Sequence, residues 1–97
     1  MRIIVRTTLL ELAKPWTPAR EEVRRWCALV ERLSWRTPAD VRAFDPRASI
    51  LANRRVVFDF SNNDLRLVVK VDYQFGMVFI RWFGTHRDYD RINASEV

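Results

Sequence analysis

The sequence is poor in the residues that usually build metal and redox sites, with one cysteine and one histidine among 97 residues. The single cysteine, Cys27, cannot form a disulfide framework or a cysteine-based metal cluster within this chain. The single histidine, His86, is accompanied by scattered carboxylates without metal-ligand spacing. We therefore expect no metal ion and no cofactor, and we expect Cys27 to pack in the core as a small apolar side chain.

Glycine, proline and long apolar runs are also scarce. Two glycines and four prolines leave most of the chain to helices and strands. No stretch approaches the ~18 apolar residues of a membrane span, and the apolar run at residues 3–5 is too short for a signal peptide. Because 48% of the residues are nevertheless apolar, one core can form. We expect a single cytoplasmic domain over residues 1–97.

Positive charge is what the chain has in excess, with a formal net charge of +5 at pH 7. Arginine supplies 15 of the 17 basic residues, and they are spread along both halves of the chain without a basic tail. Such a balance favours a polyanionic partner, nucleic acid above all. An ordinary protein with an arginine-rich surface explains the composition equally well.

Start signals divide the N-terminal half into one strand and three helical segments. The β-branched run at residues 3–5 predicts a first strand. Thr8, with Glu11 three residues later, has capping-box spacing and predicts a short helix. Thr17 and Thr37, each followed by proline, predict a second helix and a third, shorter one. The second helix carries an apolar stripe at helical spacing: Val23, Trp26, Cys27, Val30 and Leu33.

The C-terminal half changes to the alternation of β-strands. Three strands are predicted at residues 56–60, 65–73 and 77–83, separated by polar or glycine-containing turns. The polar residues 86–92 after the last strand predict one helical turn. The fold class is therefore α+β: an antiparallel sheet of three to four strands, made of this meander and the N-terminal strand, packed against two N-terminal helices.

Strand register decides which side chains share a face of this sheet. If residues 61–64 form the first turn, the apolar residues of the first two strands face the helices. A second turn of two or four residues keeps Arg81 off the core face, whereas a three-residue turn would bury its charge. The even turn places three residues of the last strand on the core face: Val78, Ile80 and Trp82. It leaves four cations on the open face: Arg55, Arg66, Lys70 and Arg81.

Like charges that face each other across strands cost up to about 1 kcal/mol per pair. A bound anion, most simply a phosphate, would offset this repulsion. A solvated sheet face, with Asp59 and Asp72 neutralising part of the charge, explains the same pattern. The register alone leaves both interpretations open.

His86 follows the last predicted strand directly, at the edge of the basic face. Histidine is the side chain whose ordinary pKa allows proton transfer near neutral pH. Tyr89, three residues later, lies on the same side if this segment is a helical turn. Together they are candidate proton donors and acceptors, although a lone histidine on a surface turn is more often only polar.

The motifs of the second half resemble the HigB family of toxins from toxin–antitoxin systems. The most specific match is the ending Gly84-Thr85-His86 followed by Tyr89-Asp90. Residues 54–58, 65–70 and 78–81 agree in order and spacing, and residues 35–40 and 48–51 extend the match upstream. Asn62-Asn63-Asp64-Leu65 departs from the Gly-Asn-Lys-Tyr frequent in the family, so the resemblance does not carry a role in gripping RNA over to that turn.

The resemblance implies a RelE-like fold and the activity of a ribosome-dependent mRNA endonuclease. It also implies a helix-turn-helix (HigA-like) antitoxin that silences the toxin, in a simple complex or in a larger toxin–antitoxin assembly. In such an enzyme the RNA 2′-OH attacks the adjacent phosphate. His86 and Tyr89 are candidates for acid and base in either order, and Lys70 is a third candidate base because neighbouring cations favour its neutral form. Two arginines would bind the phosphate: Arg66 and Arg81. Three more are candidate RNA-binding residues: Arg54, Arg55 and Arg87.

Two other functions fit the same residues. A toxin of the same fold that poisons DNA gyrase would not need the His86 and Tyr89 pair. A non-catalytic RNA-binding or ribosome-binding module would use the basic face alone, with strongly salt-dependent binding. For Trp16 and Trp35, core packing is the favoured interpretation.

Overall fold

The computed structural model describes residues 1–62 and 64–97. Asn63 lies outside the described residues, and with it one position of the turn predicted at residues 61–64. The described part of the chain contains these elements in order: β1 (Arg2–Ile4), α1 (Arg6–Ala13), α2 (Thr17–Val30), α3 (Pro38–Phe44), β2 (Ser49–Ile50), β3 (Arg55–Phe60), β4 (Leu65–Asp72), β5 (Met77–Thr85) and α4 (His86–Tyr89).

The strands form one sheet in the order β1-β5-β4-β3-β2. β1 runs parallel to β5, and the other neighbours are antiparallel. This confirms the α+β class, the C-terminal meander and the short helix after it. The sheet has five strands rather than three to four because β2 adds a two-residue edge strand opposite Val56 and Val57. A strand of two residues is too short to show alternation in the sequence.

The first two helices begin earlier than predicted. α1 starts at Arg6 because Val5 takes a left-handed conformation with φ 62° and turns the chain directly out of β1. Thr8 therefore lies inside the helix and does not cap it, so the capping box with Glu11 is wrong. α2 includes Thr17, and Trp16 occupies the cap position without a side-chain hydrogen bond.

The third helix begins as predicted, with Thr37 as its cap. The Asp40 carboxylate accepts hydrogen bonds from the backbone N–H of Arg36 at 2.8 Å and of Thr37 at 3.2 Å. The bond from Arg36, and then that from Thr37, hold the pKa of Asp40 below its ordinary value of 3.8. This side chain fixes the entry of the chain into α3.

The main core lies between the helices and one face of the sheet. Trp26 packs edge-on against Phe58 with ring centroids 5.2 Å apart, and Trp35 stacks on the same ring at 6.0 Å. Trp35 is 2% exposed, which confirms its core position. Cys27 is also fully buried, and burial raises the pKa of its thiol to about 11. Trp16 is 37% exposed, so core packing is wrong for this residue.

The register between β3 and β4 is the predicted one, with Asp59 opposite Arg66 and Arg55 opposite Lys70. The turn between β4 and β5 has four residues, which confirms the even length. A β-bulge then interrupts β5: Val69 pairs with Ile80, and Val68 pairs with Trp82.

The bulge moves Trp82 to the face away from the helices, so its predicted core position is wrong. Phe83 takes the core position instead, opposite Leu67 and 8% exposed. The prediction assumed uninterrupted alternation along β5, and the extra residue at the bulge reverses it.

The face that was expected to be open is partly covered by the segment after α4. Ala94 is buried against Val57 and Val68, and Trp82, Tyr89 and Ile92 pack around this second, smaller cluster. Among the described residues, none of the helices is long and apolar enough to cross a membrane.

Candidate functional site

The end of β5 is tied to the β3–β4 turn through the first residues of α4. The Thr85 hydroxyl accepts a hydrogen bond from the backbone N–H of Asp88 at 3.1 Å and so caps the helix. The backbone N–H of His86 donates to the carbonyl of Asp64 at 2.9 Å. A four-residue helix is not stable by itself, so these bonds are what hold the His86 backbone in place.

Glycine is required at position 84 because the Trp82 ring lies directly over it. A Cβ atom at Gly84 would lie 2.8 Å from Cζ2 and 2.9 Å from Cη2 of Trp82. The Trp82 ring in turn contacts the Tyr89 ring at a centroid distance of 6.0 Å and an angle of 57°. The glycine of the Gly-Thr-His motif therefore lets Trp82 support Tyr89.

Tyr89 and Arg66 are in contact where β4 and β5 meet α4, and His86 begins the same helix. We call these three residues, which are the candidates for catalysis, the catalytic corner. The Arg66 guanidinium carbon lies 4.8 Å from the centroid of the Tyr89 ring, a cation–π geometry. Its Nε is 3.4 Å from the Asp59 carboxylate. His86 is 51% exposed in its side chain, and its Nε2 is 3.7 Å from Oδ2 of Asp90.

Two further arginines of the sheet, Arg55 and Arg81, donate hydrogen bonds to the main-chain oxygen of Val97. Arg55 donates to this oxygen through Nε at 3.0 Å and Nη2 at 2.8 Å, and to the Asn53 carbonyl through Nη1 at 2.8 Å. Arg81 donates to the same oxygen through Nε at 3.1 Å. Arg55 lies on the predicted face, opposite Lys70, but it is only 8% exposed because the C-terminal segment covers it and supplies acceptors that the register could not reveal.

The sheet therefore separates the predicted site residues into two groups. Lys70 is half-buried opposite Arg55 and lies about 13 Å along β4 from Arg66, at roughly 3.3 Å per residue. The structure brings Arg66 to Tyr89, in the helix that begins with His86, and it places Lys70 opposite Arg55, near the Val97 oxygen to which Arg81 also donates. Arg54 and Arg87 are exposed, the first before β3 and the second in α4.

A cleft of about 700 Å³ lies next to the start of α4, and no spacing pattern in the sequence predicts it. Trp16, from the connection between α1 and α2, lines it together with Asp64 and Thr85. These residues are too far apart in the chain for any spacing rule to link them. An exposed tryptophan is the one signal, and only the fold shows that this tryptophan is exposed.

The part of the chain that the structure describes offers neither a metal site nor a reactive cysteine. Within the described residues, no group of three or more histidine, cysteine or carboxylate side chains is arranged to hold a metal ion. Cys27 is buried in α2 with its thiol pKa raised by burial, far from the properties of a nucleophile.

The five-stranded α+β fold and the order of its C-terminal elements are those of a small RelE-like domain. The profile of the HigB toxin family, described as the RelE-like toxic component of a toxin-antitoxin system, matches residues 19–92. The chain therefore belongs to the HigB toxin family: it is the toxin of a toxin–antitoxin system, and an antitoxin partner is implied. A search of curated proteins gives no match.

Proposed function

We propose that this toxin is an endoribonuclease that cleaves mRNA on the ribosome, without a metal ion, through attack of the RNA 2′-OH on the adjacent phosphate. The observation that carries the proposal is the catalytic corner, which joins two proton-transferring side chains to one fixed cation. Because the nucleophile belongs to the RNA, the protein needs to supply only proton transfer and charge stabilisation.

One group takes the proton of the 2′-OH, and a second protonates the leaving 5′-oxygen. His86 and Tyr89 are the two groups, one turn apart in α4. Asp90, whose Oδ2 lies 3.7 Å from Nε2 of His86, places a carboxylate beside the imidazole. Arg66 brings a permanent positive charge to the Tyr89 ring and stabilises the additional negative charge of the transition state.

The cations near Val97 are assigned to the RNA on either side of the cleaved bond. Lys70 lies about 13 Å along β4 from Arg66, at roughly 3.3 Å per residue, and Arg81 donates to the Val97 oxygen, so we assign both to the binding of flanking phosphates. Arg54 and Arg87, both exposed, extend this path. The proposed antitoxin is a helix-turn-helix protein of the HigA type, alone or in a larger assembly, that silences the toxin.

The test is induced expression of toxin variants followed by mapping of mRNA 5′ ends. His86→Ala and Arg66→Ala are expected to lower the number of new 5′ ends by about 100- to 1,000-fold, the usual cost of removing a transition-state donor. Arg24→Ala is the matched control, because this exposed arginine of α2 contacts only Glu21 at 3.9 Å among the described residues. Cleavage by His86→Ala at the wild-type level would contradict the proposal.

Two other results of the same experiment identify other functions. Toxicity with DNA breaks and no new mRNA ends would favour a gyrase poison. Growth arrest that survives His86→Ala but weakens with each lost arginine would favour a non-catalytic RNA-binding module.

A further inference from the structure

The cleft beside the catalytic corner lies between the α1–α2 connection and the β3–β4 turn. Its volume is about 700 Å³, within the usual range of small-molecule sites. One wall is formed by Pro15 and Trp16, and the opposite wall by Ser61 and Asp64, with Thr85 at the end nearest α4. The cleft is thus built from three separate parts of the chain.

The cleft and the catalytic corner share backbone. Thr85 lines the cleft and caps the helix that begins with His86. Asp64 also lines the cleft, and its carbonyl accepts the hydrogen bond from the His86 N–H at 2.9 Å. The cleft therefore reaches the His86 backbone through Thr85 and Asp64, although none of the three residues of the catalytic corner lines it.

Trp16 presents a fixed aromatic surface to this cleft. Its ring packs edge-on against Phe83, with centroids 6.1 Å apart and an angle of 66°, while 37% of the residue is exposed. Proteins bind unstacked RNA bases by stacking them on such side chains. An exposed tryptophan anchored from one side has the geometry for this purpose.

In the part of the chain that the structure describes, the charged groups that line the cleft are two carboxylates, and its other polar side chains are neutral. Glu22 is half-buried and accepts from the backbone N–H of Ser61 at 3.2 Å, and the Asp64 side chain is exposed. Among the described residues that line the cleft, none is a cation. The cleft is thus unsuited to a phosphate and suited to a group that offers N–H donors.

We infer that this cleft binds one base of the RNA next to the cleaved bond, stacked on Trp16 with its amino edge toward the Asp64 carboxylate. The inference rests on the proposed function and adds a specificity-determining site to it. Adenine, guanine and cytosine carry an exocyclic amino group, which a carboxylate accepts. Uracil has no exocyclic amino group: its single N3–H donor lies between two carbonyl oxygens that the carboxylate repels, so we expect uracil to bind less well than the other bases.

The experiment compares mapped mRNA 5′ ends, with the base composition around them, for wild type and three variants. Wild type is expected to disfavour uracil at one position beside the cleaved bond. Trp16→Ala is expected to lose this preference and to cleave on the order of 10-fold less, because stacking on one aromatic side chain supplies that much binding. Trp16→Phe keeps a stacking surface, so it is expected to retain most of the base preference and most of the cleavage rate.

Asp64→Asn tests the polar half of the inference without removing the stacking surface. An amide both donates and accepts hydrogen bonds, so this variant is expected to accept uracil at the position that wild type excludes. Phe75→Ala is the matched control, because Phe75 is an aromatic residue that is 67% exposed and does not line the cleft. Its cleavage pattern is expected to equal that of wild type.

Failure of the inference and failure of the proposed function give different results. If wild type and His86→Ala yield the same mRNA ends, the proposed function fails. If wild type cleaves and His86→Ala does not, but Trp16→Ala, Trp16→Phe and Asp64→Asn all keep the wild-type sites and rates, the cleft does not bind a base. Trp16→Ala that cleaves like wild type but escapes the antitoxin would assign the cleft to the protein partner and overturn the inference. If Trp16→Ala does not fold, the other two variants decide.

Discussion

At the scale of single residues, the C-terminal motif has a structural role and a proposed chemical role at once. Thr85 caps α4, and Gly84 leaves room for Trp82, whose ring supports Tyr89. His86 and Tyr89 were predicted as a pair from their spacing, and their role in catalysis stays a prediction. The partner of Tyr89 on the sheet, Arg66, followed from the β3–β4 register that the turn length determined.

Gly84→Ala is expected to destabilise the protein by about 1–3 kcal/mol, the usual cost of overpacking. The added methyl group would meet the Trp82 ring at 2.8 Å. The measurement is the free energy of unfolding from denaturant titration. In a Trp82→Leu background the same change is expected to cost less, because the two residues are in contact and their effects do not add. Equal costs in both backgrounds would show that the Trp82 ring is not the cause.

At the scale of elements, the sequence predicted what local patterns control and missed what the neighbouring elements decide. The β3–β4 pairing followed from a four-residue turn and strict alternation. The bulge in β5 could not be predicted, because every residue of 77–83 except Arg81 is apolar, so the sequence does not show which residues face the core. The start of α1 was missed because Val5 takes a left-handed conformation that its β-branched side chain disfavours.

The start of α3 gives a pH-dependent prediction. Backbone hydrogen bonds lower the pKa of Asp40 in the folded state, so its carboxylate stabilises the fold at a pH above its ordinary value of 3.8. That contribution is lost as the pH falls through the lowered folded value. The Asp40→Ala variant is therefore expected to have a lower denaturant midpoint than wild type at pH 6.

The difference between the two midpoints is expected to shrink steadily as the pH is lowered below 3.8. Glu11→Ala is the control, because Glu11 is an exposed acidic residue of α1 that does not cap a helix. A midpoint difference that stays constant between pH 6 and the acid limit of folding would contradict a role for the Asp40 charge.

At the scale of the whole molecule, the C-terminal segment reshapes the face of the sheet that carries the cations. Its apolar residues cover Val57 and Val68, and the Val97 oxygen binds both Arg55 and Arg81. No pattern within the strands predicts that coverage, because it depends on a segment that returns across the sheet. The same limit applies to the cleft at Trp16, whose walls come from three separate parts of the chain.

The proposed cleavage mechanism depends on His86 and Tyr89 acting on RNA next to Arg66. The most direct measurement is the single-turnover rate at which purified toxin cleaves an mRNA bound to ribosomes. The His86→Ala variant is expected to cleave more slowly than wild type by about 100-fold or more. A 2′-deoxy nucleotide at the cleaved position is expected to abolish the wild-type reaction, because it removes the attacking hydroxyl group. Equal rates for wild type and His86→Ala, or cleavage at the 2′-deoxy position, would contradict this mechanism.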